Sequence, residues 1–206
     1  MNRKYLFRVA VTVFVAITAF SSNIFACACC TEPGTYVLHT SKPSEYMIGL
    51  LKTVKFKSGG TLFQTDAGFD AVKGIAASED EMASGLDLVG SFLGSTWDFT
   101  LRTGNGKLGK LILPLPAKMV NYRVDQREGD DRPNGPLLYK ELRFNGTVGS
   151  GSGIVKPGIV RPTSYFLVLQ GRGNNCDDVR DFTHWRLEIS GRRAQYAFFG
   201  ELEPPS

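Results

Sequence analysis

The 206-residue chain reads as an all-β protein: a single antiparallel barrel or sandwich of hairpins, with at most one or two short helices, behind a cleaved N-terminal signal peptide. Three observations predict this. Short apolar runs with period-2 alternation recur along the chain, and Trp97, Phe99 and Leu101 or Trp185, Leu187 and Ile189 each define one apolar face. All 23 glycines and 10 prolines follow residue 30 and punctuate those runs. The runs recur about every 8–12 residues, the spacing of sandwiches and barrels, and pattern alone does not separate the two.

The first thirty residues have another purpose. Arg3, Lys4 and Arg8 precede an apolar stretch from Val9 to Phe20 whose only polar type is Thr, and Ser21-Ser22-Asn23 then breaks it. That is the plan of an export signal, and its apolar stretch falls short of the about 20 residues that span a bilayer. Residues 1–26 are the signal, cut after Ala26 or Ala28; residues 27–34 are a Cys-rich segment and 35–206 the β domain. Ile24-Phe25-Ala26-Cys27 also resembles a bacterial lipoprotein signal, although Phe25 stands where a small residue is usual. In that alternative Cys27 carries the lipid, and only then does the membrane enter as a partner.

Export changes the meaning of the charge. Removing Arg3, Lys4 and Arg8 from 24 basic residues leaves 21 against 20 acidic ones, a net of +1. A nucleic-acid footprint is thereby not expected. The location expected is periplasmic or extracellular, and the partner a small molecule or an envelope or extracellular protein.

In chain order, Thr35–Thr40 reads as a first strand. Tyr46, Ile48, Leu50, Val54 and Phe56 read as a longer one, which Ser58-Gly59-Gly60 turns into Thr61–Gln64 as a hairpin. Ser78-Glu79-Asp80-Glu81 fits a capping box and predicts a short helix. Strands follow from Leu86, around Trp97, and from Leu108 to Leu113, with Asn105-Gly106 a strong hairpin signal. Met119–Val124 and Leu137–Phe144 read as strands on either side of a mixed-charge loop, Asp125–Pro133, whose acids lack calcium-loop spacing. Asn145-Gly146 reads as a turn and, with Thr147, as a glycosylation sequon. Gly149–Gly153 reads as a flexible surface loop. The stretch from Thr163 to Leu202 organises the rest as strand, polar loop, strand, turn at Ser190-Gly191, strand.

Chemistry concentrates in that polar loop. Asn174, Asn175, Asp177 and Asp178 offer oxygens and amides to a ligand, yet the same side chains also satisfy a loop's own backbone. Cys176, His184 and Asp181 are the residues that a hydrolytic or redox enzyme would use. No Gly-x-Ser-x-Gly elbow, His-x-x-x-His pair or phosphate loop accompanies them. Cys27, Cys29 and Cys30 carry a thiolate reading for copper or zinc. In an oxidising compartment the economical alternative is a disulfide from Cys29 or Cys30 to Cys176. It closes a loop of roughly 150 residues, which the chain-entropy model values at about 4–5 kcal/mol. The function expected is an exported, non-enzymatic binding module that works through loops at one end of the sheet and needs no cofactor. The enzyme and the metal binder are the alternatives.

Overall fold

The computed structural model describes residues 34–63, 72–126, 137–176 and 178–203. Two antiparallel sheets face each other and do not close, so the sandwich is the form realised. The strands are β1 (Tyr36–Ser41), β2 (Thr61–Leu62), β3 (Leu86–Phe92), β4 (Thr96–Thr103), β5 (Leu108–Pro114) and β6 (Met119–Asp125). They continue as β7 (Leu138–Thr147), β8 (Ser150–Gly153), β9 (Thr163–Gly173), β10 (Phe182–Gly191) and β11 (Gln195–Glu201). One sheet has the order β1-β6-β7-β9-β10-β11-β2 and the other β3-β4-β5-β8.

The hairpins follow local signals. Gly106 takes φ 87° between β4 and β5, a left-handed conformation that glycine adopts without a Cβ penalty. The β10–β11 hairpin closes with Gly191 N–H donating to the Ala194 carbonyl. The expected helix is α2 (Glu79–Ala83), with the capping box at Ser78 and Glu81 formed.

Four local expectations are corrected. Tyr46–Leu50 belongs to helix α1 (Glu45–Leu51), not to a strand. Ser44 caps it by accepting from Met47 N–H, Glu45 complements the dipole, and Met47 and Leu51, four apart, share its buried stripe. The hairpin expected across Gly59-Gly60 does not form. β2 pairs instead with β11, and Phe56 bridges Leu202. Asn145-Gly146 continues β7 rather than turning it. A Cβ on Gly146 would lie 2.7 Å from the Tyr165 ring, so the glycine there makes room for an aromatic neighbour. Gly149–Gly153 is not a free loop either, because Ser150–Gly153 adds β8 to the edge of β5. Ile159 packs where a side chain on Gly151 would stand, at 2.4 Å.

The core lies between the sheets and is largely aromatic. Phe99 of β4 meets Trp185 of β10 at 5.7 Å between ring centroids, and Trp97 meets Phe144 of β7 at 5.3 Å. Phe56 wedges edge-on against Trp97, Phe99 and Trp185. Offset and edge-to-face contacts of this kind add to the burial of the rings themselves. A bulge in β10 at Thr183 lets Phe182 and Trp185, three apart, both point inward. The same bulge leaves Thr183 and His184 on the outside.

Candidate functional site

Asn175, Asp178 and Asp181 of the organising loop are engaged by the loop itself and by β7. Lys140 of β7 reaches across to Asp181, with Nζ 2.6 Å from Oδ2, and the two side chains are 3% and 8% exposed. Lys140 also donates to the Asn175 carbonyl. Asp181 accepts from the Asn175 N–H at Oδ2 and from the Asn175 amide at Oδ1, each at 3.2 Å. Both charges are therefore hydrogen-bonded as well as paired, which a buried ion pair requires. Asp178 caps the short 3-10 turn at Val179–Asp181 and pairs with Arg180, and this holds its carboxyl below the usual range. Asn174 also makes an interaction of its own, and Asp177 lies outside the described residues.

The enzyme candidates are likewise engaged. Cys176 is disulfide-bonded, so it presents no thiolate. The other half of that bond is not among the described residues, where Cys27, Cys29 and Cys30 do not appear. His184 is exposed on the outer face, its Nδ1 2.8 Å from the Thr183 hydroxyl, whereas Asp181 is buried against Lys140. Nucleophile, base and orienting acid are thus each committed to a different partner. Among the described residues no three His, Cys, Asp or Glu side chains converge on a metal position. No described helix is long and apolar enough to cross a membrane.

The concave surface lies elsewhere, on the outer face of the seven-stranded sheet. There a cleft of about 610 Å³ opens over β10 and β11, within the range usual for small-ligand sites. Phe63 and Phe199 wall it, 54% and 44% exposed, and Val72 lies beside them. Ala197 also lines it, and its carbonyl accepts from Phe63 N–H at 2.8 Å. Val72 is held in place through Lys73, which exchanges two backbone hydrogen bonds with Gln195 at 3.0 Å each. Gln170, His184, Arg186 and Glu188 supply the polar side, and Arg186 and Glu188 form an ion pair.

Strand register extends this surface across the sheet. Tyr122, Glu141, Gln170, His184 and Glu201 stand side by side on β6, β7, β9, β10 and β11. In the next row stand Val120, Arg143, Val168, Arg186 and Phe199. Both rows alternate with core residues such as Leu142, Leu169, Trp185 and Phe198, so both face outward. At the far side Tyr36 packs on Tyr122 (6.1 Å), Tyr122 on Tyr139 (6.3 Å), and the Arg143 guanidinium lies 4.6 Å over the Tyr122 ring. Glu141 accepts from both Tyr139 and Arg143. Partial burial and that carboxylate push the Tyr139 hydroxyl's pKa up.

Alternation in the sequence already placed His184, Arg186 and Glu188 on the wet face. Phe63, Gln170 and Phe199 escaped it. One signal was available: Phe198 and Phe199 are adjacent, so in a strand one of them must face solvent. Comparison with known proteins finds no matching family model, no similar curated protein and no similar solved structure.

Proposed function

We propose that this protein is an exported, non-enzymatic binding module whose ligand site is the cleft beside Phe63 and Phe199. The observation that carries the reading is the cleft itself: two exposed aromatic side chains line it together with a row of polar side chains on β9 and β10. This moves the site from the loop at the end of the sheet to the face of β10 and β11. The commitment of Cys176, His184 and Asp181 to separate partners supports a binding role over catalysis.

Export is part of the same proposal. It rests on the signal-like first 26 residues, and a disulfide on Cys176 supports an oxidising compartment, periplasmic or extracellular. Cys29 or Cys30 is the partner proposed for Cys176. That bond would fasten the mature N-terminus beside the Lys140–Asp181 pair.

The test is a thermal-shift screen of the mature protein against neutral, anionic and apolar small molecules, repeated on Phe199→Ala. A ligand that raises the melting temperature of the wild type and not of the variant supports the cleft. Ligands that stabilise both equally place the site elsewhere. Peptide mapping by mass spectrometry, with and without reduction, reads the cleavage site, a lipid on Cys27 and the partner of Cys176.

A further inference from the structure

We infer that the ligand is an uncharged oligosaccharide lying across the strands, from the cleft at Phe63 and Phe199 to the tyrosines of β1, β6 and β7. The inference rests on the cleft being the binding site and adds the ligand's chemistry and its path.

Three features of the outer face select that class. First, exposed aromatic rings stand at both ends of the band: Phe63 and Phe199 at one, Tyr36, which is 67% exposed, at the other. A pyranose ring has an apolar C–H face that packs on such rings while its hydroxyls stay at the edges. Second, the groups between the ends both donate and accept. The Gln170 amide lines the cleft and also lies 3.5 Å from the Tyr139 hydroxyl, which joins the cleft to the tyrosine patch. Amides and phenols match hydroxyls, which themselves donate and accept. Third, the charges are already balanced. Among the described residues Arg186 pairs with Glu188, Arg143 with Glu141 and Glu201 with Lys57, so these charges are already matched within the protein.

The geometry excludes the neighbouring classes. Between its ends the band crosses the interior strands β6, β7, β9, β10 and β11, whose backbone groups are bonded on both sides, so an extended peptide could add only along the edges β1 or β2 and not across the band. An acyl chain on this path would bury Glu141, Gln170 and Arg186 without hydrogen-bond partners of its own. From β1 to β11 the path covers five strand spacings, about 24 Å at about 4.8 Å each, long enough for several sugar rings end to end.

The test uses the mature protein with neutral cello-, xylo-, manno- and chito-oligosaccharides of increasing length, followed by calorimetry. Anionic oligogalacturonates, a peptide library and an anilinonaphthalene dye serve as the competing classes. Affinity for one neutral series is expected to rise with length until the path is filled, with little dependence on salt. Phe199→Ala is expected to weaken every length by about tenfold, the equivalent of one lost ring contact. Tyr36→Ala is expected to weaken only the longer chains. Both side chains are exposed, so both variants are expected to melt with the wild type, which separates lost binding from lost folding.

Tighter binding of the anionic series, or affinity that collapses with salt, overturns the inference. Dye or peptide binding that depends on Phe199, without glycan binding, also overturns it while the cleft remains a site. Glycan binding untouched by Phe199→Ala removes the cleft itself, and silence towards every class removes both readings.

Discussion

Lys140 Nζ lies 2.6 Å from Asp181 Oδ2, and the pair pins the Cys176 loop to β7 of the seven-stranded sheet. Lys140 sits near the start of β7, and Asp181 closes the 3-10 turn that leads into β10. Removing either partner strands a desolvated charge, which is costlier than never having built the pair. Lys140→Met is expected to lose about 3–5 kcal/mol in urea unfolding. The double variant Lys140→Met, Asp181→Leu is expected to recover much of that loss, since two apolar side chains leave no orphaned charge. A single-variant loss below about 1 kcal/mol would show that the pair is solvated and the pin unimportant.

Glycine marks the positions where that pin leaves no room. A Cβ on Gly173 would fall 2.0 Å from the Asp181 carboxyl carbon. Gly173→Ala is therefore expected to destabilise by about 1–3 kcal/mol or more through overpacking. Gly49 is the opposite case, in the middle of α1 with nothing within 4 Å of its would-be side chain. Gly49→Ala is expected to stabilise by about 0.5–1 kcal/mol. Chemical denaturation of the two variants side by side checks both signs.

Acid should first loosen the contact between α2 and the β4–β5 hairpin. Glu81 accepts from Ser78 N–H at 2.7 Å, pairs with Lys107 at 2.9 Å and accepts from the Asn105 amide. These bonds, the one to the Ser78 backbone foremost, pull its pKa from 4.5 down to about 2. A carboxyl depressed on folding contributes its full stability above 4.5 and loses it as pH falls towards 2. Wild type minus Glu81→Gln, followed by thermal melts, is expected to be largest above pH 4.5 and to shrink towards pH 2. A difference that stays flat across that window counts against the assignment.

Cys176 supplies a fourth measurement. Cys176→Ser is expected to cost about 2–5 kcal/mol, the usual loss when a small domain is deprived of a native disulfide. A reductant should lower the melting temperature of the wild type and leave the variant's unchanged. Equal sensitivity in both would mean that the bond contributes nothing to the fold.

The strands were legible wherever a local signal and the buried face agreed. Asn105-Gly106 and the Trp97 and Trp185 alternations are such places, as is the capping box at Ser78. The errors fell where one local pattern served two structures. Ile48 and Leu50 alternate like a strand, while Met47 and Leu51 repeat like a helix, and the Ser44 cap decided between them. Asn145-Gly146 carries a turn's residues inside a strand because Tyr165, nineteen positions further along, needs the space. The candidate site was less legible than the fold. Asn175 and Asp181 look equally available in sequence, and only the arrival of Lys140 from another strand commits them to the loop.

By itself the sequence determined that this is a mostly β body, where several hairpins turn, and which side of β10 is wet, because those follow from neighbours within a few residues. The tertiary structure alone decided that the sheets stay open as a sandwich, that β1 and β2 become the edges of one sheet, and that Phe63 comes beside Phe199. Those outcomes depend on pairings between segments far apart in the chain, such as β1 with β6 and β2 with β11. Backbone ladders and core volume select such pairings, and neither is written in any short window of the chain.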